Sequence, residues 1–185
     1  GSFTNPFLSY LFDVGFIDFP EAGNEDHVLS QFRNLLRSNE VGAFIFEPLV
    51  QGASGMRMYS SEILNTLLKE AHQHDVVCIA DEVFTGFGRT GKLFASQHLE
   101  EKPDIIAVSK GITGGALPLG VTGCSEKIVT AFNSADIAKT FFHGHSYTAN
   151  PIACAAANAS IELLLDEACQ RQIKQIADSH LGFCR

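Results

Sequence analysis

Short apolar runs alternate along the chain with amphipathic segments, and this alternation predicts an α/β fold with a mostly parallel sheet. The runs that predict strands are residues 11–19, 43–46, 76–80, 105–108 and 119–124. Pro20 and Pro48 follow the first two runs and mark the ends of those strands. The runs at 76–80 and 105–108 are apolar throughout, as expected of strands that are buried in a parallel sheet.

Helices are predicted where apolar residues recur at every third or fourth position. The first such segment places four apolar residues on one helical face, namely Val28, Phe32, Leu35 and Leu36. The second begins near Ser60 or Ser61, and its core-facing residues are Ile63, Leu64, Leu67, Leu68 and Ala71. Three more helices are predicted: a short one capped by Ser125, an alanine-rich one opened by Asn150 and Pro151 that runs to about Leu165, and one from about Glu167 to His180.

The composition is that of an ordinary globular protein, with 45% hydrophobic and 18% charged residues, and 185 residues predict a single domain. A formal net charge of −8 disfavours binding to nucleic acid or to anionic lipid. The five cysteines are scattered and include no Cys-x-x-Cys pair, which argues against a disulfide framework and favours a reducing, cytoplasmic location. No apolar stretch reaches the roughly 20 residues that a membrane span needs.

Polar residues stand at the ends of three predicted strands: Glu47, Asp81 and, after Ser109, Lys110. Ligands of parallel sheets bind outside the carboxyl ends of the strands, so we expect a carboxylate and an amine to meet in one crevice. Glycines follow both groups, at positions 86, 88 and 91 and at positions 111, 114 and 115. Such glycines allow the backbone to approach a bulky anionic ligand. A plain ion pair between Asp81 and Lys110 is the alternative.

Two other motifs are weaker. Residues 86–91 match G-x-G-x-x-G, but a dinucleotide site needs its first glycine directly after a strand, and residues 81–85 intervene. Two histidine pairs, His72 with His74 and His143 with His145, have no third ligand nearby in sequence, so we predict no metal site. Ser146 lies in a glycine-containing segment, where its hydroxyl either binds a phosphate or is solvated.

Four segments of the chain resemble the class III aminotransferases, which are pyridoxal-phosphate enzymes of fold type I. They begin at Glu47 (EPLVQGASGMRMY), Asp81 (DEVFTGFGRTGK), Ser109 (SKGITGG) and His143 (HGHSYTANP). The segments follow one another in the family's order over about residues 42–165. The resemblance implies a three-layer α/β/α domain with a mostly parallel sheet, pyridoxal 5′-phosphate as the cofactor, and a homodimer.

The resemblance also implies roles for particular residues. Lys110 would bond to the cofactor aldehyde and later move a proton between substrate and cofactor carbons, and Asp81 would hold the pyridine nitrogen protonated. Ser146 matches a family threonine that binds the cofactor phosphate of the partner subunit. Glu47 matches a glutamate that borders the substrate pocket, and a structural ion pair is an equally good interpretation of it.

Further implications concern the substrate and the extent of the chain. Phe84 stands where many relatives that act on ω-amino acids have glutamine, which favours a long aliphatic keto acid. The first and last segments are most similar to the family members that act in biotin synthesis. This similarity implies 8-amino-7-oxononanoate as the amino acceptor, and adenosylmethionine or another amine, such as lysine, as the amino donor. The alternatives are another ω-aminotransferase, an aminomutase or a catalytically incomplete structural module.

Family members are much longer than this chain. The resemblance therefore implies that residues 1–185 form part of the large cofactor-binding domain. The segment that supplies the phosphate-binding glycine loop would precede them, and the small C-terminal domain would follow. On this interpretation the isolated chain is expected to be inactive.

Overall fold

The computed structural model describes residues 13–38, 40–142 and 144–183. The chain forms two compact units, Gly1–Val41 and Gly42–Arg185. The first unit contains helix α1 (Glu25–Leu36), whose buried residues are Val28, Phe32 and Leu36. The helical spacing predicted from the sequence is confirmed here.

The prediction of a strand over residues 11–19 is wrong for residues 13–19, while residues 11 and 12 lie outside the described part of the chain. A strand needs a neighbouring backbone to pair with. Here the backbone N–H of Asp18 instead donates to the side-chain oxygen of Gln31 at 2.9 Å, and Gln31 donates back to the Asp18 carboxylate at 3.0 Å. The segment therefore runs beside α1 and is held by side-chain bonds.

The second unit holds the sheet and the remaining helices. In chain order its elements are β1 (Ala43–Phe46), β2 (Val50–Gln51), β3 (Arg57–Met58), α2 (Ser61–Gln73), β4 (Val77–Asp81), β5 (Ile105–Val108), β6 (Val121–Cys124), α3 (Glu126–Phe132), α4 (Pro151–Leu165) and α5 (Glu167–Phe183). Three 3₁₀ turns cover Ala95–His98, Lys110–Thr113 and Ile137–Lys139.

The main sheet has the strand order β1-β4-β5-β6. β1, β4 and β5 are parallel, with Phe46 opposite Ala80 and Asp81 opposite Ala107. β6 pairs with β5 in the antiparallel direction. The connection between these two strands contains a 3₁₀ turn and no α-helix, whereas neighbouring parallel strands are usually connected through a helix. The prediction of an α/β fold with a mostly parallel sheet is confirmed.

Helices are anchored to this sheet where the sequence contains capping residues. The Ser60 hydroxyl accepts a hydrogen bond from the backbone N–H of Ile63, and the buried apolar face of α2 packs against β4. The Asn150 side chain accepts from the backbone N–H groups of Ile152 and Ala153, with Pro151 next to it at the start of α4. α4 contacts the 3₁₀ turn that contains Lys110 and also packs against α5.

Two local features differ from the sequence predictions. Ser125 stands at the start of α3 as predicted, but its hydroxyl makes no capping hydrogen bond. β2 and β3 form a two-stranded antiparallel sheet that the hydrophobic pattern did not predict, because each strand has only two residues. Within the described residues, no helix has both the length and the apolar character needed to cross a bilayer.

Candidate functional site

A cleft of about 450 Å³ opens at the carboxyl edge of the parallel strands. Glu47 follows β1, Asp81 ends β4 and Lys110 follows β5, and β1, β4 and β5 are neighbours in the sheet. The lining residues are Glu47, Gly52, Ala53, Met56, Asp81, Val83, Phe84 and Lys110. Three residues that the sequence places at separate strand ends thus face one cavity.

Asp81 is held at the floor of this cleft by the turn that follows it. Its carboxylate oxygen Oδ1 accepts the backbone N–H of Val83 at 3.0 Å, and its backbone pairs with Ala107 of β5. The side chain is half-buried, and its second oxygen remains available to a ligand in the cleft. Asp81 can therefore offer a negative charge in a defined direction.

The next residue, Glu82, has a different environment and was missed by the sequence analysis. It is fully buried, and its carboxylate accepts hydrogen bonds from the Thr85 hydroxyl at 2.9 Å and from the backbone N–H groups of Ala95 and Ser96 at 2.8 and 2.7 Å. The sequence feature that could have revealed this residue is the pair of consecutive carboxylates, Asp81 and Glu82, at the end of a strand. Because neighbouring side chains of an extended backbone point to opposite sides, only one of them can face the cleft.

Lys110 has an unusual backbone conformation. Its φ of 48° lies in the left-handed region, which costs a residue other than glycine about 1 to 3 kcal/mol and is found mainly at functional sites. A Cβ atom on the next residue, Gly111, would lie 2.9 Å from the side chain of Phe87, so only glycine fits there. The hydroxyl of Ser109 donates to the Leu119 carbonyl at 2.6 Å and fixes the other side of the lysine.

Phe84 contributes an aromatic wall to the cleft. The Lys110 ammonium lies 5.9 Å from the centre of its ring, and the Arg89 guanidinium carbon lies 4.7 Å from it. Gly52 approaches the ring so closely that a Cβ atom at that position would lie 2.8 Å from Phe84 Cγ. The width of the cleft at this wall therefore depends on a glycine.

Glu47 is held by backbone donors. Its Oε2 accepts the backbone N–H of Gly52 at 2.9 Å, and its carbonyl accepts the Tyr59 hydroxyl at 2.6 Å. Burial raises the pKa of the Tyr59 phenol, and the nearby Glu47 charge adds to this rise, so the phenol stays protonated as a donor. Within the described residues no ion pair involves Glu47.

Ser146 is not among the residues that line the cleft. It is exposed in a turn at residues 146–149, where the Thr148 N–H donates to the His145 carbonyl at 2.9 Å. The segment at 82–91 forms consecutive turns and begins no helix, contrary to what a dinucleotide-binding loop requires.

A second cluster of polar side chains lies at the opposite, amino edge of the sheet. Asp104 precedes β5 and accepts the backbone N–H of Cys78 in β4 at 2.9 Å. The His72 ring lies 3.3 Å from Glu101 through Nδ1 and 3.6 Å from Asp104 through Nε2. Burial, followed by the charges of Asp104 and Glu101, raises the pKa of the Cys78 thiol to about 12. The fold thus places Cys78 and Asp104 near His72. It thereby supplies the further metal-ligating side chains that are missing near His72 and His74 in the sequence.

Enzymes that use pyridoxal phosphate hold it with a lysine and with a carboxylate beside the pyridine nitrogen, and both residue types line this cleft. Residues 3–181 match the family Aminotransferase class-III, and the chain belongs to this family, whose members are pyridoxal-phosphate enzymes. Both the family resemblance and the fold class expected from the sequence are therefore confirmed.

Individual relatives show the similarity at the level of single proteins. The adenosylmethionine-8-amino-7-oxononanoate aminotransferase of Synechococcus elongatus is 45% identical over 187 residues, which cover 97% of this chain and 44% of that protein. The solved structure of the enzyme of the same name from Methanocaldococcus jannaschii matches with a TM-score of 0.83 and 34% identity, over 94% of this chain and 41% of that one.

An amine transaminase from an uncultivated Pseudomonas species, solved in its PLP-bound form, matches with a TM-score of 0.71 and 35% identity. That match covers 76% of this chain and 32% of the other. The chain thus spans less than half the length of each of these three relatives.

Proposed function

We propose that this chain belongs to an aminotransferase that uses pyridoxal 5′-phosphate to transfer an amino group to 8-amino-7-oxononanoate, giving 7,8-diaminononanoate. The single observation that carries the proposal is that Lys110 and Asp81 line one cleft at the carboxyl ends of neighbouring parallel strands. Relatives with up to 47% identity bear the name of this activity.

The residues of the cleft fit the cofactor chemically. Pyridoxal phosphate supplies an electrophilic aldehyde and a cationic ring that accepts an electron pair. Lys110 offers a primary amine that no hydrogen bond of the described residues engages, and Asp81 offers a carboxylate oriented by the Val83 N–H. Phe84 lines the same cleft and offers an apolar face.

Each side chain then has a defined task. Lys110 Nζ would hold the cofactor through its aldehyde carbon and would be the group that carries a proton to and from the reacting carbon. The Asp81 carboxylate would keep a proton on the ring nitrogen, since a nearby negative charge favours the protonated form. Lys110 lines the cleft and has a left-handed backbone conformation, and a fixed position for its amine would avoid the loss of rate that a random orientation causes.

The lining of the cleft supports an aliphatic acceptor. Ala53, Met56, Val83 and Phe84 contribute apolar surface, and Glu47 is the only further charged residue among the lining residues. An apolar channel favours a long methylene chain over a short charged substrate. We propose adenosylmethionine as the donor, because the relatives are named for it.

The chain would supply part of the large cofactor-binding domain, and the active form would be a cytoplasmic homodimer. Ser146 lies in an exposed turn that is flanked by strongly exposed aromatic residues, with Phe142 at 79% and Tyr147 at 75% exposure. Exposed apolar surface of this kind is typical of an interface between subunits. In that interface Ser146 would donate a hydrogen bond to the cofactor phosphate of the partner.

The proposal is tested on the intact protein incubated with pyridoxal phosphate. Borohydride reduction followed by peptide mapping should identify the cofactor adduct on Lys110, whereas an adduct on Lys102 or Lys92 would contradict the proposal. Turnover is then measured with 8-amino-7-oxononanoate and with 2-oxoglutarate, a short dicarboxylic keto acid, as alternative amino acceptors, each with adenosylmethionine and with lysine as donor. A preference for 2-oxoglutarate would overturn the acceptor assignment and leave the assignment of Lys110 intact.

A further inference from the structure

We propose that His72, Cys78 and Asp104 bind a zinc ion at the amino edge of the sheet, with Glu101 orienting the His72 ring. This site lies at the opposite end of β4 and β5 from Asp81 and Lys110. It does not depend on the proposed aminotransferase activity.

The three ligands come from three different elements. His72 lies in the last turn of α2, Cys78 is the second residue of β4, and Asp104 directly precedes β5. One nitrogen, one sulfur and one oxygen atom from these side chains all lie within 4.8 Å of one another. Imidazole, thiolate and carboxylate are the ligands that zinc prefers in proteins.

The orientation of His72 is the observation that points to a cation. The ring lies between two carboxylates, with Nδ1 3.3 Å from Glu101 Oε2, and an Nδ1 proton donated to Glu101 would leave a lone pair on Nε2. That lone pair faces Asp104 Oδ2 at 3.6 Å. Two acceptor atoms that face each other require a proton or a metal ion between them. A carboxylate on the far nitrogen of a ligating histidine is the usual second partner in zinc sites.

The dimensions suit zinc. With bonds of about 2.0 to 2.1 Å to nitrogen and oxygen, the ligand atoms of a tetrahedral site lie about 3.3 to 3.4 Å apart. The Nε2 to Oδ2 separation of 3.6 Å is close to that value. The sulfur side has to close by about 1 Å, and His72, whose side chain is 31% exposed at the end of α2, is the ligand that can move.

Charge and protons balance in the proposed site. Binding forms a bond between zinc and Cys78 Sγ, and the thiol proton passes to solvent. The thiolate and the Asp104 carboxylate together neutralise the two positive charges of the ion, while the imidazole remains neutral. Asp104 keeps the hydrogen bond from the Cys78 N–H at 2.9 Å, since each carboxylate oxygen has more than one lone pair.

The ion has one route into the site. Cys78 is fully buried, and the Asp104 side chain is only 14% exposed. The partly exposed His72 ring therefore forms the entrance, and a water molecule would complete the fourth position from that side. The site would tie α2 to β4 and to the segment before β5.

The experiment uses the intact protein, stripped with a chelator and titrated calorimetrically with Zn²⁺. We expect one ion per chain, and with Cd²⁺ in its place the ultraviolet charge-transfer band of a thiolate ligand. Cys78→Ser and His72→Gln should weaken Zn²⁺ binding at least tenfold and Cys78→Ser should remove the cadmium band. Glu101→Gln, a change on the exposed side, should weaken binding about 10- to 100-fold without altering the fold.

Matched controls separate this site from other thiols and imidazoles. Cys169→Ser in α5 and His74→Gln next to the cluster should bind Zn²⁺ as the wild type does. The titration is repeated on Lys110→Ala, which should also bind normally. Absence of binding in the wild type would overturn the proposal and would show that a proton occupies the His72–Asp104 contact. Zn²⁺ binding as tight as that of the wild type in both Glu101→Gln and Cys78→Ser, with both variants folded by circular dichroism, would overturn it as well.

Discussion

The two edges of the main sheet contain similar kinds of polar residues, but the two sets differ in whether their polar atoms have hydrogen-bond partners. At the carboxyl edge, the Lys110 amine and one Asp81 oxygen face open space, beside a strained backbone and closely packed glycines. At the amino edge, the polar atoms of Asp104 and Cys78 are bonded to one another across neighbouring strands. Polar groups left without partners are costly, so they persist mainly where a ligand engages them. The comparison assigns catalysis to the first edge. To the second it assigns stabilisation, to which the proposed zinc ion would add by joining His72 to Asp104 and Cys78.

The largest effect is expected for Lys110→Ala in the intact protein. Loss of the amine removes the covalent anchor and the proton carrier, so kcat should fall at least about 10² to 10⁴-fold. The melting temperature should stay unchanged, because the side chain is exposed. Lys174→Ala, on the exposed side of α5, is the matched control. Unchanged turnover would show that another residue is the catalytic base and would contradict the assignment of catalysis to the carboxyl edge of the sheet.

Asp81→Asn is expected to have the next largest effect. The amide oxygen can still accept the Val83 N–H, so the turn should be preserved, but the amide cannot hold a proton on the ring nitrogen. We expect kcat to fall about 10²-fold with cofactor still bound. Steady-state kinetics and cofactor absorbance measure this, with the exposed Asp75→Asn as control. An unaffected kcat would remove Asp81 from the mechanism.

Glu82→Gln, one residue further on, should instead affect stability. The new amide group would place a donor against N–H donors that now face carboxylate oxygens, and the loss of a buried hydrogen bond of this kind costs about 1 to 3 kcal/mol. The free energy of unfolding in urea measures the effect. If Glu82→Gln and Asp81→Asn were equally stable, the assignment of a structural role to Glu82 and a catalytic role to Asp81 would be refuted.

Gly52→Ala tests the cleft wall. The added methyl group would lie 2.8 Å from Phe84 Cγ and must displace the ring, which should raise KM for the acceptor about tenfold. Gly42→Ala, where no atom lies within 4 Å of the added methyl group, should leave KM unchanged. A normal KM in both variants would show that the ring does not set the width of the substrate channel.

Tyr59→Phe should have the smallest effect, about 1 kcal/mol in the free energy of unfolding, from loss of the bond to the Glu47 carbonyl. The pKa of Tyr59 is raised in the folded state, so its contribution is complete below the usual phenol pKa of 10.0 and declines as the pH rises above it. Wild type should lose more stability than Tyr59→Phe above pH 10.0. Tyr147→Phe, at an exposed position, should behave as wild type; a parallel pH dependence of all three would contradict the assignment.

Some elements follow from the sequence alone because their signals are local. α2 and α4 begin at Ser60 and Asn150, since a capping side chain and a proline at the first turn act within four residues. The meeting of Asp81 and Lys110 in one cleft also follows from the sequence, because parallel strands share a carboxyl edge. The family motifs were likewise sufficient to assign the class.

Tertiary structure decided what depends on a partner far along the chain. An apolar run such as residues 13–19 becomes a strand only if another backbone pairs with it. The direction of β6, which pairs with β5 in the antiparallel sense, is likewise not encoded in its own apolar run. The opposite environments of Asp81 and Glu82 depend on which side of the sheet is covered. The contact of His72 with Asp104, across residues of α2 and the start of β5, depends on strand register and helix packing, which no local pattern encodes.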